Sequence, residues 1–362
     1  MSGSSAGEIL EALCAAAVDC GASDLLLHEQ RIPRVRVGGQ LLPLDTAPLE
    51  PDFFDEVERR AGIAAGTKDA DAALVSAAGQ RFRVNVLSSL GRRGAVLRRV
   101  LGEVPALDSL GVPADVLRGW AASRSGMILV GGPTGSGKST TVAALLEDIN
   151  HRDERHVVTI EDPIEYTFAD KRCLFTQREV GIDTSSFAEG LRRSLRQNPD
   201  VIFLGEIRDR ESATTALQAA ETGHLLIATV HVATAAEAIE RVEGLFPADE
   251  REGVRKTLAA QLLGVLCQKL LPAVGGGLVV VCEHFSSIGI LRRLIAENRH
   301  TELEDVVGAG SSPESSGFLS ALATLVRSGR LDEQVAAEAS SNPQELQRAL
   351  RGIMSSSAGV RR

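Results

Sequence analysis

Residues 127–130 are apolar throughout, and the chain then reads Gly132-Pro-Thr-Gly-Ser-Gly-Lys-Ser139 before a helical pattern from Ser139 through Leu146. This order of strand, glycine loop and helix constrains the fold more than any other stretch. Glycines let the backbone curl until successive N–H groups converge on one point. The helix that follows adds a partial positive charge at the same point. The loop fits G-x-x-x-x-G-K-[ST], in the structural context the motif requires. It reads as a cradle for the phosphates of ATP. Its candidate contacts are Gly132, Pro133, Thr134, Gly135, Ser136, Gly137, Lys138, Ser139 and Thr140. Lys138 is placed to bridge the β- and γ-phosphates, and the Ser139 hydroxyl to ligate Mg2+.

The surrounding pattern predicts an α/β fold. Apolar strands at 127–130, 156–160, 201–204, 225–230 and 278–281 alternate with helical segments across residues 114–285. Runs that are apolar at every position suit parallel strands covered on both faces. Residues 1–100 mix helix and strand. A helix is expected over 9–18, and strands over 24–28, 35–37, 81–87 and 95–100. In the third of these strands Phe82, Val84 and Val86 alternate with Arg81, Arg83 and Asn85, so one face is apolar. Residues 101–113, punctuated by Pro and Gly, are expected to link the two regions. Residues 286–353 read as helical, with a loop at 308–316, and 354–362 as a flexible tail.

Two acidic stretches lie at predicted strand ends, the edge where open α/β sheets bind ligands. Thr159-Ile-Glu-Asp-Pro-Ile-Glu165 supplies Glu161, and Pro199 to Asp209 supplies Glu206 and Arg208. A carboxylate there orients and partly deprotonates a water, or holds a Mg2+-bound water, which gives Glu206 a catalytic or metal role and Glu161 a catalytic one. The competing reading for either is a carboxylate paired with Arg208. His224 and His231 bracket the strand at 225–230. An imidazole at a strand's C-terminal end is able to bond a γ-phosphate or a catalytic carboxylate, and otherwise is structural.

Charge excludes some classes. The formal net charge is -9 and aromatics make up 3% of the chain, with one Trp and one Tyr. Nucleic-acid binding relies on cationic surfaces and stacking platforms, so no nucleic-acid partner is expected. Five cysteines without a C-x-x-C pair suggest reduced, packed thiols in a cytoplasmic protein. The N-terminus lacks a basic and an apolar signal region, and no apolar run is long enough to cross a bilayer, so no direct membrane insertion is expected.

In this order the segments resemble the secretion and pilus motor ATPase superfamily. GPTGSGKST at 132–140 is similar to its Walker A, TIEDPIEY at 159–166 to its Asp box, PDVIFLGEIRD at 199–209 to its Walker B region, and AAETGHLLIATVH at 219–231 to its His box. GASDLLLHEQRIPRVRVGGQL near the N-terminus resembles the PAS-like domain that precedes the motor core. The likeness covers nearly the whole chain and is strongest to the retraction branch. The helix of that branch, A-I-R-N-L-I-R-E, appears as Ile290-Leu-Arg-Arg-Leu-Ile-Ala-Glu297, with Arg293 and Ala296 as departures. Val232 replaces the His-box Thr, and Leu26 replaces an N-terminal His.

The resemblance implies a PAS-like α+β domain, a RecA-like P-loop ATPase core and a helical C-terminal extension. It also implies a homohexamer with Mg2+ and ATP at subunit interfaces, acting through an inner-membrane pilus platform protein. Arginines complete such sites. Arg83 and Arg98 are the candidates from the N-terminal domain, while Arg192, Arg196 and Arg208 lie in the core motifs. Closure about 101–113 would convert hydrolysis into motion. Three alternatives stay open: an assembly or secretion motor, a regulatory nucleotide-binding paralogue without turnover, and a RecA-like nucleic-acid motor.

Overall fold

The computed structural model describes residues 5–100, 103–312 and 314–351. Residues 101 and 102 of the expected linker, 352 and 353 of the last predicted helix, and the expected tail lie outside the described residues. The chain divides into two compact units, Met1–Glu103 with Pro163–Thr167, and Val104–Asp162 with Phe168–Arg362.

In the first unit, Ser5 opens α1 (Ala6–Asp19) with a capping box. Its hydroxyl accepts from Glu8 N and the Glu8 carboxylate accepts from Ser5 N. Strands β1 (Asp24–His28), β2 (Arg34–Val37) and β3 (Gln40–Pro43) precede α2 (Pro51–Arg60). Then come β4 (Ala70–Val75), β5 (Arg81–Ser89) and β6 (Arg92–Arg99). The strands form one antiparallel sheet in the order β3-β2-β1-β6-β5-β4. Phe82, Val84 and Val86 share a core with Leu10, Phe53 and Phe54, as their alternation predicts. The opposite face carries a row of charge. Arg83 is level with Arg98, Arg98 with Asp24, and Asp24 with Arg36.

The second unit begins with a 3-10 turn (Leu107–Ser109) and α3 (Ala114–Ala121). It continues through β7 (Gly126–Gly131), α4 (Lys138–Arg152), β8 (His156–Glu161), β9 (Leu174–Glu179), α5 (Phe187–Ser194) and β10 (Val201–Leu204). Next are α6 (Arg210–Glu221), β11 (Leu225–Val230), α7 (Ala235–Gly244), α8 (Arg251–Gln261), β12 (Leu262–Pro272) and β13 (Leu278–Ser286). The last part holds α9 (Gly289–Ala296), α10 (His300–Gly308), β14 (Ser311–Ser312), β15 (Ser315–Ser316), α11 (Phe318–Arg327), α12 (Glu333–Ala339) and α13 (Pro343–Leu350).

The sheet order is β14-β15-β13-β12-β7-β11-β10-β8-β9. From β12 to β9 every pairing is parallel, and β13 to β14 extend the sheet antiparallel. Met127 and Leu129 enter a layer with Ala213, Ile239 and Leu258, while Ile128 and Val130 enter another with Leu117, Val142 and Leu145. Both faces are therefore covered, which explains the unbroken apolar runs.

Two expectations change. The linker at 101–113 is not a free tether along its length: Leu107 and Val112 are buried in the second unit, and Arg118 Nη2 pairs with Asp108 Oδ2 at 2.6 Å. Apolar side chains with a core beside them pack rather than span. The loop at 308–316 contains the β14–β15 hairpin, because the β13 edge offers Phe285 and His284 as partners to Ser315 and Ser316. Among the described residues no helix is long and apolar enough to cross a membrane.

Candidate active site

The C-terminal ends of β7, β11, β10 and β8 lie along one edge of the sheet. The glycine loop leaves β7 there. Gly137, at φ 87°, caps α4 in the left-handed region. Gly132, at φ 147°, is closely enclosed. A Cβ at that position would lie 2.4 Å from Ser136 Oγ and 2.5 Å from the Gln268 carbonyl oxygen. Only glycine suits both the conformation and the space. The Lys138 side chain is buried, and its Nζ donates to the carbonyl oxygens of Gly132 at 2.8 Å and Pro133 at 2.9 Å. The ammonium is thus held within the curl of the loop. Pro133, Thr134 and Gly135 are exposed, and Ser139 and Thr140 are half-buried at the helix start.

Glu206 lies just beyond β10, two strands from β7, or roughly 10 Å along the sheet at ordinary strand spacing. Its segment is pinned from both sides. Gly205 N donates to Ile160 O at 2.7 Å, Ile207 N donates to Thr229 O at 3.1 Å, and the Thr229 hydroxyl donates to Gly205 O. The Glu206 side chain keeps 18% exposure, so it is largely enclosed yet reachable by water. Arg208 Nε donates to Glu206 Oε2 at 2.6 Å, and Arg208 Nη1 donates to Asp162 Oδ2 at 3.3 Å. The hydrogen bond to Glu206 raises the Arg208 pKa above its ordinary value. Its guanidinium also sits 5.3 Å from the Phe187 ring centroid.

His231 follows β11, between the loop and Glu206, with its Nε2 3.7 Å from Glu206 Oε2. Glu161 ends β8 and is more deeply buried. Its Oε1 accepts from the Thr159 hydroxyl at 2.7 Å and from Gln177 Nε2 at 3.5 Å. The edge therefore holds a lysine, a serine hydroxyl, two carboxylates and an imidazole. The serine hydroxyl and carboxylates are hard oxygen donors of the kind Mg2+ takes, so the residues present fit that ion.

Residues 70–351 match the model of the family described as type II/IV secretion system protein. The chain belongs to this family. It is 37% identical over 332 residues to the type IV pilus retraction ATPase PilT of Pseudomonas aeruginosa, covering 90% of this chain and 96% of that one. It is 38% identical over 327 residues to the Escherichia coli K12 protein YggR, covering 89% and 99%. A crystal structure of the pilus retraction motor PilT with bound ADP superposes with a TM-score of 0.86 at 38% identity, covering 94% of this chain and 99% of that one. The mixed α/β fold is the one that structure has.

Not every candidate joins the loop in this member of the type II/IV secretion system family. His224 precedes β11, whose pairing with β7 runs from Leu225 beside Gly126 to Val230 beside Gly131. The whole strand, roughly 20 Å, thus separates His224 from the loop's edge of the sheet within one chain. Its ring Nδ1 instead lies 3.0 Å from Ala219 O and 3.2 Å from the Thr222 hydroxyl. Arg83 and Arg98 belong to the first unit, where Arg98 Nε donates to Asp24 Oδ1 at 2.8 Å and Arg83 Nη2 reaches Asp71 Oδ1 at 3.5 Å. Arg192 pairs with Glu189 and Glu211 on the surface of α5 and α6, and Arg196 is exposed beyond α5. Arg208 is brought to the edge, but as the partner of Glu206 and Asp162.

Sequence reasoning missed Asp162, Thr159 and Gln268. Asp162 and Thr159 lay in plain view beside Glu161. Their signal was adjacency: a hydroxyl two residues before a strand-end carboxylate points to the same side of the strand. Gln268 sits on β12, a strand not expected from the pattern, and it donates through Nε2 to Ser136 O at 2.7 Å.

Proposed function

We propose that this chain hydrolyses ATP at the glycine loop and that the reaction powers retraction of a type IV pilus. The observation that carries the reading is the convergence of Lys138, His231 and Glu206 on one sheet edge, in a chain alike to PilT over nearly its full length. In this reading the loop N–H groups and Lys138 hold the β- and γ-phosphates. Ser139 and a water on Glu206 would hold Mg2+, which supplies charge neutralisation at the phosphates. Glu206 orients the attacking water and draws on its proton, His231 restrains that carboxylate or the γ-phosphate, and Glu161 supports the same edge.

The finer architecture belongs to the same proposal. The first unit is read as the PAS-like domain and the second as a RecA-like core with a helical extension. Six copies would form a ring on the cytoplasmic side of the inner membrane, engaging a platform protein there. Arg83 or Arg98 of one subunit would complete the site of its neighbour. Because Leu107 and Val112 are buried in the second unit, that part of the expected linker would move with the second unit.

The test has two arms. Purified protein should hydrolyse ATP only with Mg2+, and Lys138→Ala should abolish turnover. Unchanged activity in that variant would remove the site. A gene deletion should abolish twitching while surface pili persist or accumulate. Absence of pili would instead assign the chain to filament assembly, and normal twitching with no ATPase activity would favour a regulatory nucleotide-binding role.

A further inference from the structure

Gln268 stands one residue beyond the pairing of Cys267 with Gly131, which brings it level with Gly132. On its other side it pairs with Cys282 of β13. Its backbone thus lies between β13 and the start of the glycine loop, and the residue is 1% exposed. Its Nε2 donates to the Ser136 carbonyl at 2.7 Å, and its main-chain carbonyl oxygen closes on Gly132, where a Cβ would be 2.5 Å away. The same Nε2 would lie 3.1 Å from a Cβ at Gly137.

A phosphate cradle works by turning N–H groups inward, and a carbonyl that swings inward repels the anion. The amide of Gln268 ties one loop carbonyl to β12. An apolar side chain of equal length would fill the same space without burying the unpaired Gln268 Oε1. The distinct contribution of the amide is therefore its donor. We propose that Gln268 is a positioning residue for the nucleotide: it fixes the Ser136 carbonyl on the β12 side, so that the loop meets the phosphates already shaped. This rests on the reading that the loop binds ATP.

Gln268→Met preserves length and volume but removes the donor. A preshaped loop favours bound ATP and the transition state alike, so losing it raises KM and leaves kcat in place. The expected result is a rise in KM for ATP, and in Kd for ADP, of roughly five- to tenfold, with kcat within about twofold. The melting temperature without nucleotide should stay close to that of the wild type. Gln268→Glu keeps the shape and sets a carboxylate against the Ser136 carbonyl, so it should bind nucleotide more weakly than Gln268→Met. Wild-type affinity in either folded variant overturns the proposal, as does a fall in kcat at unchanged KM. If both variants lose their fold, Gln268 is a determinant of folding and the proposal fails. Wild-type protein that binds no nucleotide would overturn the reading of the loop itself, a distinct result.

Discussion

In the proposed reaction, which carboxylate would take the water's proton is decided at the scale of single residues. Glu161 is 7% exposed and already accepts a hydrogen bond from Thr159 and one from Gln177. Glu206 lies beyond its strand, more open, with His231 beside it. A base must reach the attacking water, so Glu206 is the better placed. Gln at position 206 can still accept the Arg208 hydrogen bond, so Glu206→Gln removes charge and basicity with little disturbance. The expected loss in kcat is roughly a hundred- to ten-thousandfold, with ADP affinity within a few-fold of the wild type in a binding titration. Near-normal turnover in Glu206→Gln would transfer the role to Glu161. That competition could not be judged from spacing, since both acids end apolar strands. Glu161 accepts one of its hydrogen bonds from Gln177 on the neighbouring strand β9, whereas Glu206 accepts from Arg208, beyond its own strand.

Secondary-structure elements show both the reach of the sequence and its limits. The parallel strands β7, β10 and β11 were legible because burial on both faces leaves them almost wholly apolar, with Thr229 of β11 the one polar side chain among them. Strand β12 was not, because α8 ends at Gln261 and β12 starts at Leu262, with no Gly or Pro between them. Pairing with β7, with a register shift between Leu262 and Gly264, makes the change there. Tertiary context overrides local preference at such a junction. The order of strand, glycine loop and helix was legible, since it is written in consecutive residues.

Strand β13 carries a second feature that depends on long-range packing. Glu283 is buried, accepts from Ala235 N at the start of α7 at 2.7 Å, and accepts from Phe318 N at the start of α11 at 3.4 Å. Burial raises its pKa above the ordinary 4.5, and Glu304 adds to that. The two N–H groups and Lys269 oppose it. The folded chain therefore keeps a proton on Glu283 in a window above pH 4.5 where the unfolded chain has released it. Stability from that proton is fully present below the ordinary value and is lost as pH rises through the folded-state pKa. Glu283→Gln mimics the protonated form at every pH. The melting temperature of the wild type minus that of the variant should therefore fall as pH rises above 4.5. A difference that is flat or grows with pH would contradict this.

For the whole molecule, the question is whether one chain holds a complete site. The core edge supplies Lys138, Ser139, Glu206 and His231, and its nearby Arg208 is engaged by two carboxylates. Phosphoryl transfer gains roughly a thousandfold or more from an arginine at the transferring group. In the proposed ring that arginine comes from a neighbour's first unit. Arg98 is tied to the buried Asp24 at 2.8 Å, whereas Arg83 has only a 3.5 Å contact with the exposed Asp71. Exposed pairs of that kind contribute little, so Arg83 is the more easily redirected. Arg83→Ala and Lys138→Ala should each have very low activity alone. Co-expressed in equal amounts, they would place an intact loop opposite an intact Arg83 at roughly a quarter of randomly formed interfaces in a closed ring. Recovery of a comparable fraction of wild-type ATPase activity is the expected result. No recovery, in rings shown by mass spectrometry to contain both variants, would mean that Arg83 does not serve its neighbour, and the same experiment with Arg98→Ala would then decide between the two.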